Sequence, residues 1–188
     1  MNKVSLPLAI SLMIVSAIVG LTGGYYISPT YQQTMYTKET MGLGQSDRFV
    51  DLRYVNQMVA HHRGAILLAN QISDKTQRQE LKALAVDIEK GEPKLIEELY
   101  QWKKDWYNDG RIVADPVVAN LGQADEKIDL RFLNALIAHH KAGIEMTQEI
   151  RTKSSRKEVL DNADAVENFL TNSLTTLKGW REQWFNVK

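Results

Sequence analysis

Four histidines carry the chemistry this sequence offers, and they come as two adjacent pairs, His61-His62 and His139-His140. Each pair closes the same stretch. Asp51-Leu52-Arg53-Tyr54-Val55-Asn56-Gln57-Met58-Val59-Ala60-His61-His62 returns as Asp129-Leu130-Arg131-Phe132-Leu133-Asn134-Ala135-Leu136-Ile137-Ala138-His139-His140. Neutral imidazoles gathered in one place bind transition metals or accept hydrogen bonds from buried partners. Met58 lies three residues before His61 and four before His62, so on a helix it shares a face with both. Met146 stands two turns beyond His139 on the same side. Imidazole with thioether favours copper, especially Cu(I), and imidazole alone also suits zinc or nickel. The expected ligands are therefore His61, His62, His139 and His140, with Met58 and Met146 as auxiliaries, and copper is expected before zinc. Neighbouring helical residues point about 100° apart, so a pair does not easily chelate one ion from one face. The competing expectation is buried histidines bonded to Asn56, Asn134, Glu89 or Glu167.

Other chemistries find no support. A ferritin-type di-iron site needs Glu-x-x-His, and no such unit occurs. His-Glu-x-x-His is also missing, as is a phosphate-binding glycine loop. The absence of cysteine removes disulfides, thiolate ligands and thiol catalysis together. No serine–histidine–acid arrangement is legible, so no enzyme activity is expected. Lys and Arg total 23, as do Asp and Glu. That balance gives no reason to expect nucleic acid as a partner. Trp102 and Trp106, and likewise Trp180 and Trp184, are four apart. They read as packing at the end of a bundle, or else as an aromatic wall beside a cation. The run Lys103-Lys104-Asp105 reads as solvated surface.

These residues need helices to position them. Kept in one register, residues 51–107 align with 129–185 without a gap, and about three in ten positions are identical. Ile66 falls on Ile144, Ile72 on Ile150, Glu89 on Glu167, and the tryptophans on each other. One supersecondary unit has been duplicated, and neither copy is expected to bury its apolar face alone. Apolar residues recur at helical spacing through each half. The first helix is expected from a cap at Ser46 or Asp47 to about Ser73, and the second from about Gln77 to Tyr107 with Gly91 and Pro93 inside it. The third is expected over about Ala124 to Thr152 and the fourth over about Ser154 to Phe185. Asn108-Asp109-Gly110 is a turn, and the stretch through Pro116 and Gly122 links the halves. Gly64-Ala65 and Ala142-Gly143 should let a neighbouring helix come close. The expected fold is all-α: an antiparallel four-helix bundle built from two repeated helical hairpins, over residues 47–188.

The N-terminus suggests a location. Residues 4–27 form an uncharged run after Lys3, and the next charge is Lys38. That is long enough for a transmembrane helix. Residues 1–28 are expected to be an uncleaved membrane anchor, with a cleaved signal segment as the alternative. Lys3 puts the short end in the cytoplasm and the bundle on the periplasmic or extracellular side. Residues 29–46 form a linker.

Asp51, Tyr54, Met58, His61, His62, Gly64, Ala65 and Ile66 match one family pattern. Asp129, Phe132, His139, His140, Gly143 and Ile144 match it again, and Ala85, Ile88, Ile96 and Trp102 match its second-helix part. On these residues the chain resembles the domain-of-unknown-function family numbered 305, a ferritin-like four-helix family. Some members are secreted or periplasmic copper-binding proteins using methionine and histidine, and the resemblance implies the same here. Glu92, Leu95 and Leu99 stand at family glutamine, glutamate and methionine positions, and Leu170, Ser173 and Leu177 stand there in the second half. Leu136 and Leu68 replace further family methionines. Two functions follow: a membrane-anchored carrier or buffer of a metal ion, or a module that docks on a membrane or envelope complex with its histidines merely buried. The loss of methionines favours the second.

Overall fold

The computed structural model describes residues 42–188, so the expected anchor and most of the linker lie outside the described residues. Four helices make up the regular structure: α1 (Val50–Ile72), α2 (Gln79–Tyr107), α3 (Ile128–Arg151) and α4 (Lys157–Phe185). The all-α expectation holds across the described residues, with each helix end within a few residues of its expected place. None of these helices is long and apolar enough to cross a membrane.

Helix ends follow the local chemistry. α1 begins at Phe49 as N-cap rather than at Ser46 or Asp47. The reason is a turn in which the Asp47 carboxylate accepts the Phe49 N–H at 2.9 Å and so delays the helix by two residues. Thr76 Oγ1 accepts the Arg78 N–H, and Ser154 Oγ accepts the Arg156 N–H, at the matching turns inside each hairpin. α2 and α4 both end on an asparagine in the left-handed region, Asn108 at φ 48° and Asn186 at φ 53°, a conformation asparagine tolerates better than most residues.

The helices divide into an inner and an outer pair. α1 buries 12 of its 23 residues and α3 buries 14 of 24, whereas α2 buries 5 of 29 and α4 buries 8 of 29. A helix touched on several sides needs a broad apolar arc, and one touched on a single side needs only a stripe. Contacts agree: α1 packs on α2, α3 packs on α4, and α1 packs on α3.

Directions follow from the end contacts. The Leu43 N–H, just before α1, bonds Glu149 near the end of α3, and Ser46 Oγ donates to the Lys153 carbonyl. At the far end Lys75, just after α1, donates to the Gly122 carbonyl ahead of α3. α1 and α3 therefore run antiparallel. Because α2 ends away from the start of α3, residues 108–127 must cross the length of the bundle, about 35 Å for a helix like α1. The connection lies along the first hairpin. Val113 N–H bonds the Tyr100 hydroxyl, Arg63 holds Asp115 and the Val113 carbonyl, and the Gln71 amide brackets Ala119 and Leu121.

Matching contacts on both sides describe a pseudo-twofold. Arg156 reaches Asp51 and lies over Trp106, while Arg78 reaches Asp129 and lies over Trp184. Arg53 bonds the carbonyls of Leu43 and Gln45, and Arg131 bonds those of Leu121 and Gln123. The structural repeat thus begins at Leu43 and Leu121, eight residues before the sequence motif, in two Leu-Gly-Gln-x-Asp segments. The glycine of each, Gly44 at φ 69° and Gly122 at φ 74°, supplies a backbone conformation other residues adopt at a cost.

Candidate metal centre

The inner helices cross at the histidines. All four imidazoles are buried, with residue exposures of 4% for His61, 6% for His62, 1% for His139 and 5% for His140. Both members of each pair turn inward because α1 and α3 are buried over two adjacent stripes, not one. Small residues allow the close crossing. A Cβ placed on Gly143 would stand 2.6 Å from His61 Cε1 and 2.6 Å from Leu170 Cδ1, so the His61 ring occupies the space where a side chain would be.

His61 and His139 stack face to face, with ring centroids 3.8 Å apart and planes 6° from parallel. His62 and His140 flank them, each with its ring centroid 6.0 Å from that of its sequence neighbour. The outer rings are tied to the outer helices. His62 Nδ1 lies against the Glu92 carboxylate on α2, and His140 Nε2 shares a hydrogen bond with Ser173 Oγ on α4 at 2.9 Å. The expected partners were others. Asn134 instead accepts from Arg181, and Glu167 accepts from Gln148 and Arg151.

Burial sets the protonation state. Desolvation, then the neighbouring imidazoles, pushes His61 and His139 well below the ordinary histidine pKa, and burial alone pushes His140 down to about 3. These rings are neutral near pH 7, the form that binds metals through an in-plane lone pair. His61 Nδ1 and His140 Nδ1 have no hydrogen-bond partner, and a buried polar atom left that way costs about 1–3 kcal/mol.

The arrangement limits what can bind. A ligating imidazole places its metal in the ring plane at about 2 Å. Rings stacked in parallel planes 3.8 Å apart have no shared in-plane point, so the central pair does not chelate one ion between its faces. Among the described residues no three His, Asp or Glu side chains form a group that could hold a metal. The donors fit a transition metal in kind and in protonation state, but packing presents them in twos. Met58 and Met146, 0% and 2% exposed, sit in an apolar cluster with Tyr54, Val55, Leu99 and Leu170.

One other expectation changes. Lys103 is 3% exposed rather than solvated, because its ammonium is drawn in to the Arg111 carbonyl at 2.6 Å. The tryptophans pack against the core clusters as expected, and the cation they face is the protein's own: Arg156 and Arg78 each lie 4.2 Å from an indole centroid. Trp102 and Trp106 also floor an acidic cleft of about 760 Å³ with Glu97, Glu98, Asp105 and Glu158, and none of the histidines lines it.

Glu92 and Ser173, which stand at family glutamine and glutamate positions but were not among the expected partners of the histidines, are the residues that meet the outer rings. A signal for Glu92 existed. It falls in helical register with the apolar stripe Leu81, Ala85, Ile88 and Leu99 of α2, a carboxylate where a hydrocarbon belongs.

A family model described as "Domain of unknown function (DUF305)" matches this chain twice, over residues 51–128 and 129–188. Among solved structures the chain is similar to CopM in the Cu(I)-bound form, with 25% identity and a TM-score of 0.64 over 72% of this chain and 97% of that one. CopM in the apo form gives 25% identity and a TM-score of 0.63 over 72% and 98%. A DUF305 fragment from Deinococcus radiodurans, at 21% identity, shares the fold with a TM-score of 0.59 over 69% and 93%. No curated protein matches the chain.

Proposed function

This chain belongs to the DUF305 family, and from that membership we propose that it binds a transition metal, copper before zinc, in the histidine layer where α1 crosses α3. The observation that carries the reading is the layer itself. Every histidine of the chain is drawn into one buried place, the rings with lowered pKa are neutral, and two imidazole nitrogens stand without partners. A metal is one way to satisfy such atoms. Similarity to a fold solved with Cu(I) supports it. The residues that would hold the ion are among His61, His62, His139 and His140, with Met58 and Met146, buried in the apolar cluster, as auxiliaries. The role is that of a carrier or buffer, with binding and release as the whole activity and no catalytic step. Residues 1–28 would tether it to a membrane, with the bundle on the periplasmic or extracellular side.

A second reading has its own observation. The stacked inner rings, with one outer ring in contact with Glu92 and the other hydrogen-bonded to Ser173, suit a polar layer that sets the register of the crossing. The chain would then be a tethered module docking on a membrane or envelope complex. The deciding experiment is a competition titration of the full-length protein in detergent with Cu(I) and Zn(II), beside a variant with all four histidines changed to glutamine and its helicity checked. Stoichiometric binding lost in the variant supports the metal reading. No binding tighter than about micromolar by the parent chain leaves the docking module.

A further inference from the structure

The two halves of the histidine layer are not equivalent, and the difference has a chemical sense. The duplication supplies each hairpin with a histidine pair, but it supplies a carboxylate only once. In the repeat register Glu92 of α2 falls on Leu170 of α4, and Ser173 falls on Leu95. The second hairpin therefore offers His140 a hydroxyl and a hydrocarbon, and the first offers His62 an anion.

We propose that Glu92 is the oxygen donor of this layer and that, with His62, it directs the protein to a single divalent ion, Cu(II) or Zn(II), on the first-hairpin side. The proposal rests on the metal reading above and refines it. Three observations carry it. The Glu92 side chain is 13% exposed and lies in the core stripe of its helix, where a carboxylate needs strong compensation. Its Oε2 touches His62 Nδ1, yet it makes no hydrogen bond of acceptable geometry. An imidazole nitrogen and a carboxylate oxygen thus face each other as adjacent donors. The nearby His61 Nδ1, on a residue 4% exposed, has no partner either.

Donor chemistry then sets the class of ion. Imidazole with carboxylate suits Zn(II) and Cu(II), while thioether selects Cu(I). Leucine at 68, 99, 136 and 177 leaves few sulfurs in the helices, and Met58 and Met146 lie in the apolar cluster. An anionic donor also compensates part of the charge of a buried divalent ion, which no residue of the second hairpin does at the Leu170 position.

The test uses the full-length protein with Zn(II), Cu(II) and Cu(I) titrated separately, on the parent chain and on Glu92→Gln, which keeps the side-chain volume. Glu97→Gln, the same change at an exposed carboxylate of α2 in the cleft that no histidine lines, is the control. The expected result is one Zn(II) or Cu(II) per chain, weakened at least about tenfold in Glu92→Gln and unchanged in Glu97→Gln, with Cu(I) the weaker ligand. The Cu(II) electron paramagnetic resonance spectrum should change in Glu92→Gln, marking the loss of an oxygen ligand. Two equivalent ions per chain would overturn the proposal while leaving the metal reading in place, as would tight Cu(I) binding indifferent to Glu92→Gln. No metal bound by the parent chain would overturn both.

Discussion

At the residue scale the crossing of α1 and α3 depends on a missing methyl group. The His61 ring fills the place of a Gly143 side chain, so Gly143→Ala forces the ring and Leu170 aside. The expected cost is about 1–3 kcal/mol, read as a lower urea midpoint, despite alanine's better helix propensity. Gly179, exposed on α4 with nothing within 4 Å of a built Cβ, is the control. There alanine should stabilise by roughly 0.5–1 kcal/mol. Equal effects at the two glycines would mean that the stack is not tightly packed. The buried imidazoles also predict a pH response of the metal-free protein. Their folded pKa values lie below the 6.5 of a free histidine. Below 6.5 the unfolded chain therefore takes up protons that the folded chain refuses, and stability falls as pH falls toward the folded values. Each such histidine contributes up to about 1.4 kcal/mol per pH unit in that window. The urea midpoint should be level above about pH 7 and decline steadily from about pH 6.5 to 4.5, before most carboxylates titrate. His140→Gln should make the decline shallower, and a level midpoint throughout would refute the buried neutral layer.

At the scale of elements the hairpins are joined by two matched latches. Arg78 ties the start of α2 to Asp129 on α3, and Arg156 ties the start of α4 to Asp51 on α1. Each arginine also covers an indole of the other hairpin: Trp184 for Arg78 and Trp106 for Arg156. Asp51 and Asp129 are 13% and 14% exposed; the arginine contacts the Oδ2 of each, and the Oδ1 has no hydrogen-bond partner. Removing either arginine strands a largely buried carboxylate and uncovers an aromatic face. Arg78→Gln and Arg156→Gln should each lower stability by about 1–3 kcal/mol. The latches lie at opposite ends of the bundle, so the double variant should lose the sum to within about 0.5 kcal/mol by urea unfolding. A double variant no worse than either single would show that the two ends act as one unit.

At the scale of the whole molecule each hairpin is half of a core. α1 and α3 bury broad faces, and each needs the other to cover it. Residues 42–110 alone should lack a stable monomeric fold. They should be largely unfolded in dilute solution or should pair with a second copy across the pseudo-twofold, with His61 meeting its own equivalent. Circular dichroism with sedimentation would distinguish these states from a cooperatively folded monomer, the result that would refute the shared core. The bundle-long crossover at 108–127 has a related consequence. Its bonds to Tyr100, Arg63 and Gln71 place it on the first hairpin, so it joins the halves in sequence without closing their interface.

Helix number, approximate helix limits and the duplication were legible in the chain, because they rest on spacing along it. An apolar residue every three or four positions makes a face. A motif repeated 78 residues on, as from Asp51 to Asp129, makes two like faces that must cover each other. The anchor and its side of the membrane belong to residues outside the described part of the structure and rest on sequence alone. Tertiary structure decided what distant side chains do to one another. The stacking of His61 on His139 could not be read from spacing, since it depends on an antiparallel crossing at Gly143. Nor could the pairing of His62 with Glu92 and of His140 with Ser173, since two helices in different registers set those contacts. Periodicity fixes the direction a side chain faces along its own helix. What it meets there is a property of the neighbouring helix, its tilt and its rotation, and these are settled only when the whole core packs.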